Sequence, residues 1–394
     1  MMEIQNATLA ALSVDGRGSY GIGASAVERS ESLYTYLRIT DIRDDGTINM
    51  ADLKSVDDEK ASQYLLKPND IVFARTGAST GRNYFYDGTD GEFVYAGFLI
   101  KFSIDPQKVN PKYVKYYCMS DAYKGWIHSF NTGSTRGNIN AQTLGGMPVP
   151  LPPRQQQDGI VEILSSLDKK IRKNIEINEN LLQQAQTIFT QEFLMFDEVP
   201  DGWQEGSLLD IADYLNGLAM QKFRPKEGEQ GIPVLKIKEL RQGSCDASSE
   251  LCSPAIKSEY IVHDGDVIFS WSGSLLVDLW CGGTCGLNQH LFKVTSSKYD
   301  KWFYYAWTNH HLDKFIAIAA GMATTMGHIK RKELAKAEVL IPSKADYDRI
   351  GGLLAPLYDL VIANRIENRK LAALRDELLP QLMSGQIDVS EVSL

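Results

Sequence analysis

The chain has 394 residues, 43% of them hydrophobic and 10% aromatic, with a mean hydropathy of −0.23; this is too long for one ordinary core, suits two domains with connecting elements, and excludes a disordered or fibrous protein. A net charge of −9 excludes a uniformly basic protein that coats nucleic acid, so any contact with phosphates must be local. No basic leader precedes the first apolar residues and the longest strongly apolar run, Phe315 to Ala323, is too short to span a bilayer, so a cytoplasmic location is expected.

Cys118, Cys245, Cys252, Cys281 and Cys285 are odd in number and sparse, which fits a reducing compartment better than a disulfide framework. Cys281 and Cys285 lie near His290, but no second ligand pair follows them, and no metal is expected.

Taken along the chain, Ile71-Val72-Phe73 and Tyr95 to Phe102 read as strands on either side of the turn Tyr86-Asp-Gly-Thr-Asp-Gly91. A glycine-punctuated loop after the first strand carries Arg75, Thr76, Ser79, Thr80, Arg82 and Asn83. Pro111 to Ser120 reads as a helix, and a second polar loop holds Ser134, Thr135, Arg136 and Asn138. Val149-Pro-Leu-Pro-Pro153 closes this half, and Gln155 to Phe193 reads as one long helix, free of proline, with Pro152 and Pro153 at its entry.

The second half repeats the order. Tyr36-Leu-Arg-Ile-Thr-Asp-Ile42 is matched by Val234-Leu-Lys-Ile-Lys-Glu-Leu240 at an offset of 198, and Asp70-Ile-Val-Phe-Ala-Arg-Thr-Gly77 by Asp266-Val-Ile-Phe-Ser-Trp-Ser-Gly273 at 196. Thr135-Arg-Gly-Asn-Ile139 is matched by Thr325-Met-Gly-His-Ile329, and Val149-Pro-Leu-Pro152 by Val339-Leu-Ile-Pro342, both at 190. A shrinking offset places insertions and deletions in loops on a fixed scaffold. Here Val267-Ile268-Phe269 and His290 to Val294 read as strands and Lys301 to Thr308 as a helix. The counterpart loops carry Trp271, Ser272 and Ser274, then Thr324, Thr325, His328, Lys330 and Arg331. Ser343-Lys-Ala-Asp346 fits a capping box opening a second long helix, expected to end near Pro380 with Gly385 beyond.

The long helices carry the most informative spacing. Leu164, Leu167, Ile171, Asn174, Asn178, Leu181, Ala185 and Ile188 step by three and four, the seam of a coiled coil. Leu354, Leu357, Val361, Asn364, Asn368, Leu371, Arg375 and Leu378 take the same steps. Antiparallel pairing about the seam centre puts Asn174 opposite Asn368 and Asn178 opposite Asn364, where buried amides fix register at a cost in stability. The plainer alternative packs each helix on its own domain with the asparagines at a wet edge. About forty residues make a rod of about 60 Å, which suits a spacer.

The duplicated order of a variable domain, a closing Val149-Pro-Leu-Pro-Pro153 strand, a Gln155-Gln-Gln157 entry and an Ile163-Leu-Ser-Ser-Leu-Asp168 helix resembles the specificity subunits of Type I restriction-modification systems. The Asp70 to Gly77 segment and the Asp201-Gly-Trp203 opening of the second half are similar to that family too. The resemblance implies a mixed α/β (α+β) fold with two similar target-recognition domains, joined by two long antiparallel helices that form a coiled coil, as a pseudo-two-fold internal repeat. The expected boundaries are residues 1–152 and 197–342 for the domains, 153–196 for a central spacer helix, and 343–394 for a C-terminal spacer helix and tail. It also implies a bipartite double-stranded DNA target, two docked methyltransferase subunits and, in a fuller complex, ATP-dependent restriction subunits. In that setting Arg in the loops suits guanine edges and phosphates and Asn suits adenine. Trp271 suits stacking or wedging at a base step, with a core tryptophan as the plainer reading. The same loops also read as ordinary polar hairpins, and Lys330 and Arg331 as a solvated helix start. Arg75 is matched by Trp271 and Arg136 by Met326, so different targets for the two halves are expected.

No GxxxxGK[ST] loop occurs, Gly16, Gly18, Gly21 and Gly23 lack the flanking strand and helix of a dinucleotide fold, and no Ser/His/acid pattern or amino-methyltransferase motif is present. No catalytic residue and no cofactor are therefore expected. The competing classes are a coiled-coil scaffold whose repeated domains bind protein and a stand-alone DNA-modifying enzyme.

Overall fold

A computed structural model of the chain describes residues 5–130, 138–321 and 329–389. The chain divides into two compact units, Met1–Asp168 with Ala373–Leu394, and Lys169–Ala372. Among the described residues, no helix is long and apolar enough to cross a membrane.

In the first unit one sheet runs in the order Ser19–Tyr20, Leu99–Ser103, Asp70–Ala74, Asn83–Tyr86, and a second in the order Ala26–Val27, Lys54–Val56, Tyr34–Leu37, Phe93–Tyr95. The entering strand Gln5–Thr8 pairs antiparallel with Pro148–Leu151, the strand leading into the long helix. In the second unit one sheet runs Asp213–Asn216, Leu291–Thr295, Val267–Ser270, Leu276–Leu279, and the other Leu251–Cys252, Ile232–Leu235, Cys285–Leu287, Ile261–Val262. Gln204–Ser207 again pairs antiparallel with the closing strand, Glu338–Ile341. In each half one parallel pair, Tyr34–Leu37 with Phe93–Tyr95 and Ile232–Leu235 with Cys285–Leu287, sits in an otherwise antiparallel sheet. The repeat legible in the sequence is thus a repeat of strand order in the first sheet and in three strands of the second, whose remaining strands, Ala26–Val27 and Ile261–Val262, lie at opposite edges.

Two expectations need correction. The apolar run Tyr95 to Phe102 is two strands in different sheets, because the chain turns at Ala96–Phe98: the Leu99 amide donates to the Ala96 carbonyl (2.8 Å) and the Ala96 amide to the Leu37 carbonyl (3.0 Å). The helix expected over Pro111 to Ser120 ends at Tyr117, and Ser120 caps the next helix, Asp121–His128, accepting from the Tyr123 amide. The second long helix ends near Pro380 as expected, running one turn past it to Met383 with the left-handed Gly385 beyond. A proline there withholds one N–H from the carbonyl of Asp376, which lies on an exposed residue where water can serve it.

The long helices span Arg154–Phe193 and Lys344–Met383, and each contributes to both cores. Ile160, Val161 and Leu164 of the first and Leu379 and Leu382 of the second are buried with Phe73, Phe102 and Tyr113 in the first unit. Ala185, Phe189 and Phe193 of the first and Ile350, Leu354 and Tyr358 of the second are buried with Phe269, Phe303 and Trp307 in the second unit. A helix that packed only on its own domain would bury one end alone; burying each such side chain contributes about 1.5–3 kcal/mol.

Candidate nucleic-acid interface

The central strand of each half ends in a backbone junction built the same way twice. In the first half the Arg75 amide donates to the Phe98 carbonyl (3.1 Å), and the Arg75 carbonyl accepts from the Ile139 amide (2.9 Å). In the second half the Trp271 amide donates to the His290 carbonyl (3.4 Å), and the Trp271 carbonyl accepts from the Ile329 amide (2.9 Å). A third segment closes the junction: Gly21 and Ile22 donate to the Leu99 and Tyr95 carbonyls (3.2 and 3.1 Å), as Gly217 and Leu218 donate to those of Leu291 and Leu287 (3.0 and 2.9 Å). Only glycine fits there, since a Cβ would lie 2.2 Å from the Tyr95 carbonyl oxygen at Gly21 and 2.3 Å from that of Asn288 at Gly217.

The side chains on this common frame differ. The Arg75 guanidinium lies over the Tyr20 ring, 5.1 Å from its centroid, and the Tyr20 hydroxyl accepts from the Ala141 amide (3.1 Å). Arg75 Nε is buried without a hydrogen-bond partner among the described residues. At the equivalent positions Trp271 Nε1 donates to Asn216 Oδ1 (2.9 Å), and the indole packs near Phe292 (5.7 Å between centroids). Trp271 is half-buried at the edge of the core, between the stacking and core readings.

Of the other loop residues, Thr76 bridges to the exposed Asn138, Ser79 closes a short 3-10 turn, and Thr80 donates to the Gly77 carbonyl (2.8 Å). Arg82 is engaged by Asp44 (Nε to Oδ1, 2.6 Å) and the Ile42 carbonyl. Asn83, grouped with them by sequence, is buried and donates to the Cys118 carbonyl (3.2 Å), so it anchors the loop instead of presenting an edge. Ser272 is likewise buried, in contact with His290 Nδ1 (3.0 Å), and the Ser274 carbonyl accepts from Ser270. Lys330 and Arg331 are exposed at the start of the helix Arg331–Leu334. Ser134, Thr135, Arg136, Thr324, Thr325 and His328 lie outside the described residues. Cys281, Cys285 and His290 do not converge: Cys285 Sγ lies 3.4 Å from Cys245 Sγ, and His290 faces Ser272.

Along the helices, Asn174 Nδ2 donates to Asn368 Oδ1 (2.8 Å) and to Glu367 (2.6 Å), and Asn364 Nδ2 donates to Asn178 Oδ1 (2.8 Å). Asn178 and Asn368 also donate to the backbone carbonyls of Val361 and Ile171 on the opposite helix (3.3 and 3.4 Å). The partner number falls as the residue number rises, so the helices run antiparallel here. Asn174, Asn178 and Asn364 are buried.

Sequence reasoning missed Asp168, Lys115 and Arg375 as a unit. Asp168 accepts from Lys115 (2.7 Å), the Tyr116 hydroxyl (2.8 Å) and Arg375 (3.1 Å). Burial pushes its carboxyl up, but Lys115, Arg375 and Tyr116 outweigh this and hold it below the usual carboxylate range. Tyr20 and Asn216 were missed too, although the offset of 196 that aligns Gly21 with Gly217 would have aligned them.

Two copies of one mixed α/β unit, each completed by both long helices and each offering a loop-bearing strand end, define a duplicated recognition protein. Residues 29–183 and 200–375 match the Type I restriction modification DNA specificity domain, and the chain belongs to that family, as a DNA-recognition subunit. It is 24% identical over 396 residues to the putative Type I restriction enzyme MjaX specificity subunit of Methanocaldococcus jannaschii, covering 93% of this chain and 90% of that one. To the MjaIX specificity subunit of the same organism it is 24% identical over 305 residues, 71% of this chain and 70% of that one. The fold is similar to the crystal structure of a Type I restriction-modification S subunit from M. genitalium, with a TM-score of 0.56, 15% identity and coverage of 97% and 96%.

Proposed function

We propose that each domain reads one half of a bipartite duplex target, and that the paired helices set the gap between the halves and dock two methyltransferase subunits. ATP-dependent restriction subunits complete the fuller complex, in the cytoplasm, and this chain contributes recognition without chemistry. The reading domains are residues 1–152 and 197–342; residues 153–196 and 343–394 are the spacer. One observation carries this reading: the same strand-end frame is built twice and furnished with different side chains, Arg75 in one half and Trp271 in the other. Phosphate contacts position such a protein and base edges specify its target, so equal frames with unequal side chains suit two different half-sites. Arg75, Thr76, Ser79, Thr80, Arg82 and Asn138 serve the first half-site, and Trp271, Lys330 and Arg331 the second. Asn83 and Ser272 support the loops from within.

Selection from random duplex pools, with the methyltransferase subunits present, tests this. A split motif is expected, and a matched four-residue insert in both helices changes its gap while leaving both half-sites intact. Half-sites that change with the insert would remove the helices as ruler. Absence of any split motif would leave a scaffold that binds protein.

A further inference from the structure

Position 75 and position 271 are the same place in the fold, and so are positions 20 and 216, one residue before the glycine that closes each junction. In the first half the guanidinium rests on an aromatic face, at 5.1 Å from the Tyr20 centroid, with Nε buried and unpaired and with no carboxylate engaging it among the described residues. A buried donor without a partner costs free energy. Retaining an arginine there is intelligible where a ligand supplies acceptors to its outer N–H groups. In the second half the indole N–H, the one polar group of that side chain, is already taken by Asn216 Oδ1 (2.9 Å).

We propose that Tyr20 and Asn216 are positioning residues for base readout, Tyr20 aiming Arg75 and Asn216 orienting Trp271, and that these two pairs make the halves specific for different bases. This rests on the reading of two half-sites proposed above. Held over Tyr20, the Arg75 fork is matched by the paired acceptors of guanine, O6 and N7, in the major groove. Trp271, with its donor satisfied inside the protein, meets a thymine methyl or the face of a sugar and cannot donate to a base edge. The Tyr20 ring does for Arg75 what the Asn216 amide does for Trp271: each fixes a rotamer that would otherwise be lost to solvent.

The test uses the full chain assembled with its methyltransferase subunits and selection from random duplexes, each half-site serving as reference for the other. Arg75→Ala and Tyr20→Ala should each weaken preference at one and the same guanine about ten-fold, while Tyr20→Phe, which keeps the ring, retains it. Trp271→Ala and Asn216→Ala should change one position of the other half-site, and Asn216→Asp, which keeps the acceptor oxygen, should retain it. If Arg75→Ala changes a base and Tyr20→Ala does not, the positioning role fails while the two-half reading stands. Equal weakening of both half-sites by Tyr20→Ala marks a structural role and overturns the proposal. A wild-type complex that selects no split motif sinks the underlying reading instead.

Discussion

The two domains solve one packing problem in opposite ways where the long helices enter them. In the first, Lys115, Asp168 and Arg375 form an ionic cluster, with Lys115 and Arg375 at 2.7 and 3.1 Å from the Asp168 carboxylate. At the positions 190 residues away in the repeat stand Tyr305, Tyr358 and, for Arg375, Ala185. Tyr305 and Tyr358 pack edge to face at 5.0 Å, and Ala185 is 1% exposed in the same core. A second pair behaves alike: the Asn110 amide donates to Gln157 Oε1 (2.9 Å), and its counterpart Asp300 donates to the Tyr347 hydroxyl (2.7 Å). The fold thus requires that the space be filled and the donors met, not that any one chemistry do it. A buried ionic cluster can be exchanged for packed side chains of similar volume, whereas removing one member strands the rest.

The largest effect should follow from stranding them. Asp168→Ala leaves two cations and the Tyr116 hydroxyl without their shared acceptor, and because the carboxylate is 21% exposed the loss falls at the low end of about 3–5 kcal/mol. Urea unfolding measures it, and a loss under about 1 kcal/mol would show the cluster to be ornamental. The triple variant Lys115→Tyr, Asp168→Tyr, Arg375→Ala copies the second domain and should recover at least half of the loss. Acid should separate the two solutions. The folded carboxyl of Asp168 is depressed, so its contribution is present above the unfolded value of about 3.9 and is lost as pH falls through the folded one. Tyr305 and Tyr358, pushed up by burial, stay neutral throughout that window. The wild type's advantage over Asp168→Ala should therefore begin to shrink as pH falls below about 4 and be gone once the folded carboxyl is protonated, and an advantage that did not shrink with falling pH would be inconsistent with an ionised Asp168 at the centre.

Much of this architecture was legible because its signals are local. The three-four steps and the paired asparagines lie on single helices, and turn residues bound short apolar runs. Apolarity does not say which sheet a residue enters, so Tyr95 to Phe102 read as one strand although its two ends pair with Leu37 and Ile71. Asn83 looked like a reading residue because amide chemistry is the same at a surface and in a core; only the Cys118 carbonyl, 35 residues on, decides between them. Asp168 stood in the sequence as the end of a helix motif. Its role came from Lys115, 53 positions earlier, and Arg375, 207 later.

The next effect in size concerns the seam, where the two asparagine pairs differ in their surroundings. Asn178→Ala leaves Asn364 without its acceptor in a buried site, at a cost of about 1–3 kcal/mol. Replacing both by leucine removes the need for either and should restore stability or raise it, while freeing the helices to slip. Thermal unfolding gives the first result, and disulfide trapping at the neighbouring seam positions gives the second. A double leucine variant that stays in one register would show that the mixed seam and the domain cores fix the alignment without the amides.

The smallest effect returns to the two helix starts. The Ser343 hydroxyl accepts from the Asp346 amide (3.3 Å) and donates to its carboxylate (2.8 Å), and Trp203 Nε1 donates to the same carboxylate (3.0 Å). The equivalent residue of the first helix is Pro153, which has no hydroxyl; its carbonyl accepts from the Gln156 and Gln157 amides, as that of Ser343 does from the Tyr347 amide. Ser343→Ala should therefore cost about 1 kcal/mol in the second unit, with the half-site read by the first left unchanged, since no other helix depends on that hydroxyl. A loss of specificity at both half-sites would mean that this helix start is coupled to the whole spacer, and that the two domains are less independent than their separate cores imply.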